Sequence, residues 1–133
     1  MKRKNRKSGF TLIELMVVAI VIAILAAVAI PLMRGNKDRA MATEAQAGCG
    51  AVRTALRVYY AEHDAYPAPT ADVTTLPGIK SGDLDGVYFD TAGYATSADA
   101  SGYLITATGT AGGDAAGETV TLNADGDWGG SLL

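Results

Sequence analysis

The chain has 133 residues, 49 % of them hydrophobic, with 14 acidic against 11 basic side chains and one cysteine. That length allows one compact domain and not two, and a lone Cys49 excludes an internal disulfide. No Lys or Arg follows Lys80, whereas eight carboxylates lie between Asp83 and Asp127, so this acidic end argues against binding along a nucleic-acid backbone, which requires clustered cations.

The first element in chain order is basic. Lys2, Arg3, Lys4, Arg6 and Lys7 precede an apolar run with no acidic residue among them, which predicts a cytoplasmic anchor by the positive-inside bias. If residues 1–9 are removed, 6 basic side chains remain against 14 acidic ones, a surface suited to staying soluble outside the cell. Leu15 to Met33 is free of charge, and at ~1.5 Å per residue those nineteen positions span ~28 Å, about one hydrocarbon core.

Three explanations fit a basic start before such a run. A secretory signal peptide is cut after its apolar stretch, and Ala27-Val28-Ala29 has the small-x-small form. Against it stands Glu14, since an unpaired carboxylate near the start of the apolar region is costly in lipid. A plain single-pass anchor is physically sound, but it leaves both Glu14 and the Ser8-Gly9-Phe10-Thr11 junction unexplained.

The third explanation covers both. Lys7-Ser8-Gly9-Phe10-Thr11-Leu12-Ile13-Glu14-Leu15 resembles the class III processing site of type IV prepilins and pseudopilins, and the likeness extends to about residue 36. The resemblance implies cleavage between Gly9 and Phe10 by a membrane-embedded peptidase and methylation of the new Phe10 amine. The apolar helix would stay on the mature protein. Physically, Gly9 gives the flexible, extended backbone a protease needs. Cutting there places a cation on Phe10, one helical turn from Glu14. In a low-dielectric bundle that carboxylate is tolerable when paired, the natural partner being the Phe10 amine of a neighbouring subunit or, before assembly, its own. The plainer reading of Glu14 is a carboxylate at a helix N-terminus favoured by the macrodipole.

Pro31 interrupts the apolar run near its far end, where a proline kinks rather than forbids a membrane helix. The family carries a proline at the matching place, and its behaviour implies loss of helix there on assembly. Beyond Gly35-Asn36, Ala45, Cys49, Val52, Leu56, Tyr59 and Tyr60 fall on one helical face. Gly48 and Gly50 weaken that helix by ~1 kcal/mol each relative to Ala. A helix is therefore predicted from about Phe10 to Glu62, ending before Tyr66-Pro67. Cys49 then faces a core as a small hydrophobe, and His63 caps or packs the helix end.

Pro67 to Lys80 is predicted as loop. Short β-type runs follow: Val87-Tyr88-Phe89, Gly93 to Thr96, Tyr103 to Thr108 and Glu118 to Leu122. Tyr103, Ile105 and Ala107 alternate with Leu104, Thr106 and Thr108, the mark of a half-buried antiparallel sheet. The expected fold is α+β: a long N-terminal helix, apolar in its first half, packed against a small antiparallel sheet. Three segments follow from this: a leader at 1–9, an apolar membrane and filament-core helix at 10–33, and a head at 34–133. With no disulfide, the loop from Gly109 to Gly117 has to be held by other contacts.

No nucleophile sits with a plausible base in the sequence, and one His with one Cys does not make a zinc site. No cofactor is expected. Calcium is the one metal with any signal, because Asp83-Leu84-Asp85-Gly86 and Asn123-Ala124-Asp125-Gly126-Asp127 place oxygens two apart beside a Gly. Ordinary turn chemistry uses the same residues. The expected function is non-enzymatic: a structural subunit, the major pilin of a type IV pilus. Its partners would be further copies of itself, the prepilin peptidase and methyltransferase, the pilus assembly machinery and the inner membrane. It would wait in that membrane with a cytoplasmic N-terminus before joining an extracellular filament. The alternatives are a pseudopilin of a type II secretion system and an exported binding module on a membrane anchor.

Overall fold

The computed structural model describes residues 9–133; apart from Gly9, the basic leader lies outside the described residues. These residues form a helix α1 (Leu12–His63), two 3-10 turns (Val73–Thr75 and Thr91–Gly93) and four strands. The strands are β1 (Tyr94–Asp99), β2 (Gly102–Thr108), β3 (Thr119–Asn123) and β4 (Trp128–Gly130). The chain divides into two units, one up to Asn36 and the other Lys37–Leu133.

In the first unit the helix is apolar on all sides and passes Pro31 as one element. A proline inside a helix removes one rung, because it has no N–H for the carbonyl four residues back, here that of Ala27. Apolar residues suit every face only when the helix has an apolar surrounding. Here Ile13, Val17, Ile20, Ile24 and Val28 are all exposed.

In the second unit α1 becomes one-sided. Met41, Ala45, Cys49, Val52 and Leu56 are buried at spacings of three and four, so a single stripe packs on the sheet while the other faces stay wet. The predicted face ends at Leu56: Tyr59 is half-buried and Tyr60 exposed. Each fully buried Val or Leu contributes about 1.5–3 kcal/mol. The helix stops at Asp64, whose φ of 51° is left-handed and whose N–H donates to the Tyr60 carbonyl at 2.8 Å. His63 stacks on Tyr59 with ring centroids 4.1 Å apart, and its Nδ1 lies 3.0 Å from the Tyr59 carbonyl. After the turn, Tyr66 folds back to meet Tyr60 at 4.7 Å and Tyr103 at 5.1 Å.

The sheet is an antiparallel meander in the order β1-β2-β3-β4. Register places Thr96, Ile105, Leu122 and Trp128 in one row and Tyr94, Ala107, Val120 and Gly130 in the next. Side chains in such rows share a face, and Tyr94, Ile105, Ala107, Val120 and Leu122 form core with the helix stripe. The 118–122 run is thus a strand as expected, and β4 is a strand that sequence alternation does not reveal, being three residues long with two glycines.

Pro67 to Lys80 is a loop as expected, with one 3-10 turn inside it, while one expected β-type run is not a strand. The Pro- and Thr-rich segment supplies Val73, Leu76 and Ile79 to the core, and the Val73–Thr75 turn is capped by the Asp72 side chain, which accepts from Thr74 N–H at 3.0 Å. Val87-Tyr88-Phe89 is not a strand. In a strand, successive N–H groups point to opposite sides, but here three consecutive ones converge on one acceptor. The Glu44 carboxylate takes Val87 N–H at 3.1 Å and those of Tyr88 and Phe89 at 2.8 Å, so the backbone curves around it. Gly86 makes the approach possible, since a Cβ there would run into the Glu44 carboxylate.

The loop from Gly109 to Gly117 is held without a disulfide. Gly109 bridges to Ala116, Gly109 N–H donates to Glu118 at 2.9 Å and Thr110 N–H to Tyr88 at 3.0 Å. Ala115 is buried, and Asp114 pairs with Lys37 at 2.7 Å.

Candidate functional site

Gly9 is exposed with no regular structure, and a Cβ there would meet nothing within 4 Å. Phe10 follows at 82 % exposure. The junction where cleavage is expected is therefore outside regular structure and accessible, as a peptide entering a protease must be. Helix begins two residues later, at Leu12.

Thr11 and Glu14 fix that start. Glu14 Oε2 accepts from Thr11 N–H at 2.9 Å and from the Thr11 hydroxyl at 3.0 Å, while Thr11 Oγ1 accepts Glu14 N–H at 3.2 Å. This is a capping box, which satisfies two N–H groups that a helix start leaves without partners. The Thr-x-x-Glu spacing that signals it is present in the sequence, and reading Glu14 only as a dipole or pairing group overlooks it. In the uncut chain the Phe10 nitrogen is a peptide amide, so Phe10 and Glu14 are neighbours without being an ion pair.

Beyond the cap, Leu12 to Met33 presents its apolar side chains outward. Leu15, Val18, Ile22, Leu25 and Leu32 are each at least half exposed. This helix is long and apolar enough to cross a membrane, with none of its most apolar stretch buried.

The remaining predicted chemistry resolves into turns and core. Asp85 accepts Thr91 N–H at 2.8 Å and the Thr91 hydroxyl at 2.7 Å, and Asp83 accepts Lys80 N–H at 2.9 Å. Asn123 Oδ1 takes Gly126 and Asp127 N–H at 2.9 and 2.8 Å. Asp83, Asp85 and Asn123 thus cap their own backbone and Asp127 accepts from the Asn123 amide at 3.2 Å, and among the described residues no three His, Cys, Asp or Glu side chains gather into a metal-binding set. Cys49 is fully buried, and burial pushes its thiol up to about 12, so it stays protonated and unreactive at neutral pH.

Residues 4–30 match the prokaryotic N-terminal methylation motif. The chain is also similar to the type II secretion system core protein G of several bacteria. It is 40 % identical over 74 residues to that of Aeromonas hydrophila, covering 56 % of this chain and 52 % of the relative. It is 33 % identical over 92 residues to that of Pseudomonas aeruginosa, covering 69 % and 65 %. With that of Escherichia coli it shares 35 % over 81 residues, covering 61 % and 52 %. The chain thus spans about half to two thirds of the length of these curated relatives. A capped apolar helix that starts at a methylation motif, an antiparallel sheet packed on its second half and these relatives together make the chain similar to the type IV pilin and pseudopilin family.

Proposed function

We propose that the chain is a pseudopilin of a type II secretion system, a structural and non-enzymatic subunit that polymerises through its apolar helix. One observation favours this over the major pilin of a type IV pilus. The methylation motif covers residues 4–30 alone, and that segment is common to all prepilin-like proteins. The likeness to the Pseudomonas aeruginosa core protein G covers 92 residues. In a chain of 133 residues, a stretch of that length has to include the second half of α1 and the loops after it, so the head resembles a pseudopilin too.

On this reading the prepilin peptidase cuts between Gly9 and Phe10 and the Phe10 amine is methylated. The subunit waits in the inner membrane with its N-terminus cytoplasmic. On assembly Glu14 exchanges its Thr11 contacts for the Phe10 amine of a neighbouring copy. The peptidase, the secretion machinery and further copies of the chain are its partners.

The test removes the gene from its host and follows two outputs. Secretion of folded exoproteins should stop while surface pili persist, and N-terminal sequencing of the purified subunit should begin at methylated Phe10. Intact secretion together with loss of surface pili would return the chain to the pilin reading. A subunit that begins at Met1 or Ile30 would remove it from processing by a prepilin peptidase.

A further inference from the structure

We propose that the groove between the second half of α1 and the 83–86 segment is a docking pocket for an arginine side chain of a basic partner protein.

The pocket lies wholly within the head unit. Its volume is about 270 Å³, and Glu44, Asp83, Asp85 and Tyr94 line it beside Gly48 and Gly86. Each carboxylate is fixed by the chain's own backbone. Glu44 is held by the N–H groups of residues 87–89, Asp85 by Thr91 N–H at 2.8 Å and Asp83 by Lys80 N–H at 2.9 Å. Those donors carry no net charge, so they position the carboxylates without neutralising them. Among the described residues the one ion pair joins Lys37 to Asp114, and none of the three carboxylates has a cation within reach.

Tyr94 is an independent sign of a ligand. Its side chain is buried, at 1 % exposure, and its hydroxyl lies against Gly48, where a Cβ would run into it. That hydroxyl makes no hydrogen bond among the described residues and ends at the pocket wall. A phenylalanine would fill the same core space with no polar atom to satisfy. Glycine also weakens a helix by ~1 kcal/mol relative to alanine. The chain therefore keeps a helix-weakening residue at the point where an unpartnered hydroxyl reaches an acidic groove.

The arrangement selects the ligand. Among the described residues no three carboxylates gather closely enough to hold a metal ion, and a compact ammonium would likewise meet only part of the set. A guanidinium spreads its N–H donors over a planar fork, so it can reach two carboxylates and the tyrosine oxygen together. Such charge-assisted bonds are roughly twice as strong as neutral ones. The groove is open to solvent, and its helix wall carries only the exposed methyl groups of Ala47 and Ala51, which leaves room for a side chain from another molecule. Charge favours a separate basic protein over a second copy. Without residues 1–9 each copy carries 6 basic against 14 acidic side chains, and like-charged surfaces repel.

The isotope-labelled full chain in a neutral detergent is titrated with a capped Gly-Arg-Gly peptide and followed by NMR. Signals of Gly48, Gly86 and the Tyr94 ring should shift and saturate. The matching lysine peptide should bind several-fold more weakly, and the citrulline peptide, which keeps the shape without the charge, should not bind. Asp83→Asn with Asp85→Asn should weaken the arginine peptide several-fold while keeping both capping oxygens. Tyr94→Phe should weaken it while keeping the ring; Glu44 is left unchanged because it holds the 87–89 backbone. Equal binding of the citrulline or lysine peptide, shifts centred elsewhere, or indifference to both variants would overturn the site. In the host, a benzophenone amino acid in place of Ala51 should cross-link to an arginine-containing segment of another protein. That cross-link should fall several-fold when Asp83→Asn and Asp85→Asn are added. A cross-link to a second copy, or none while the peptide still binds, would overturn a separate protein as the occupant.

Discussion

Replacing Glu44 with alanine should destabilise the head more than any other single surface change. The side chain is half-buried on α1, and its carboxylate holds the N–H groups of Val87, Tyr88 and Phe89 at 2.8–3.1 Å. Val87 is 83 % exposed, so water replaces its bond at little cost. The Tyr88 and Phe89 bonds are part-buried, and each N–H left without an acceptor costs about 1–3 kcal/mol. With partial rescue by water, the loss is about 2–4 kcal/mol, out of the roughly 5–15 kcal/mol expected for a domain of this size. That corresponds to a drop in Tm of roughly 8–32 °C, at 4–8 °C per kcal/mol. Glu44→Gln keeps an acceptor oxygen but loses the charge and turns an amide toward donors, so about half the effect should remain. Gly86→Ala should also destabilise, and should cost less in the Glu44→Ala background because the two share one contact. Thermal melts of the detergent-solubilised subunit, followed by circular dichroism, read all four variants. A Glu44→Ala protein melting within ~3 °C of the parent, less than 1 kcal/mol on that scale, would refute the reasoning.

The two helix glycines should respond with opposite signs. Gly50→Ala meets nothing within 4 Å and should gain ~1 kcal/mol of helix propensity. Gly48→Ala drives a Cβ into the Tyr94 ring and should lose stability, because overpacking costs about 1–3 kcal/mol; denaturant midpoints decide both. Thr11→Val removes the capping box, weakening the helix start by about 0.5–2 kcal/mol, yet should leave assembly largely intact. Glu14→Ala should be processed and membrane-held but poor at polymerising, because an unpaired buried amine costs about 3–5 kcal/mol; equal pelleted polymer from both variants would sink the distinction. Asp85 is held below the usual carboxylate range by the Thr91 N–H and hydroxyl, Asp72 by the hydroxyl and N–H of Thr74, and Asp99 by those of Ser101. Their contribution is complete above an unfolded carboxylate pKa of ~3.9 and fades as pH falls below it. The melting temperature should therefore drop in acid, and less steeply for the triple Asn variant. Residues from about Ala23 to Pro31 should lose helix on assembly, where neighbours and trapped water can satisfy freed backbone groups; a filament map with continuous helix from Phe10 to Tyr59 would exclude it.

What the residues determine by themselves is local. The Thr11-x-x-Glu14 cap, the uncharged run from Leu15 to Met33 and the stripe from Ala45 to Leu56 are periodic, and periodicity is set by backbone geometry within one or two turns. The alternation in 103–108 and 118–122 declares strands for the same reason. Tertiary structure decided what no spacing encodes. The Val87-Tyr88-Phe89 run has strand composition, yet a carboxylate more than forty positions earlier captures its three N–H groups and bends it. Gly48 reads as a weak point in a helix until Tyr94 is found packed where its side chain would be. The Pro- and Thr-rich segment reads only as a loop, and it is the fold that turns Val73, Leu76 and Ile79 inward. β4 and the Lys37–Asp114 pair depend on where the chain returns. Each of these is an encounter between residues distant in sequence, and its free energy exists only once burial has paired an acceptor with particular donors, or a ring with a particular gap.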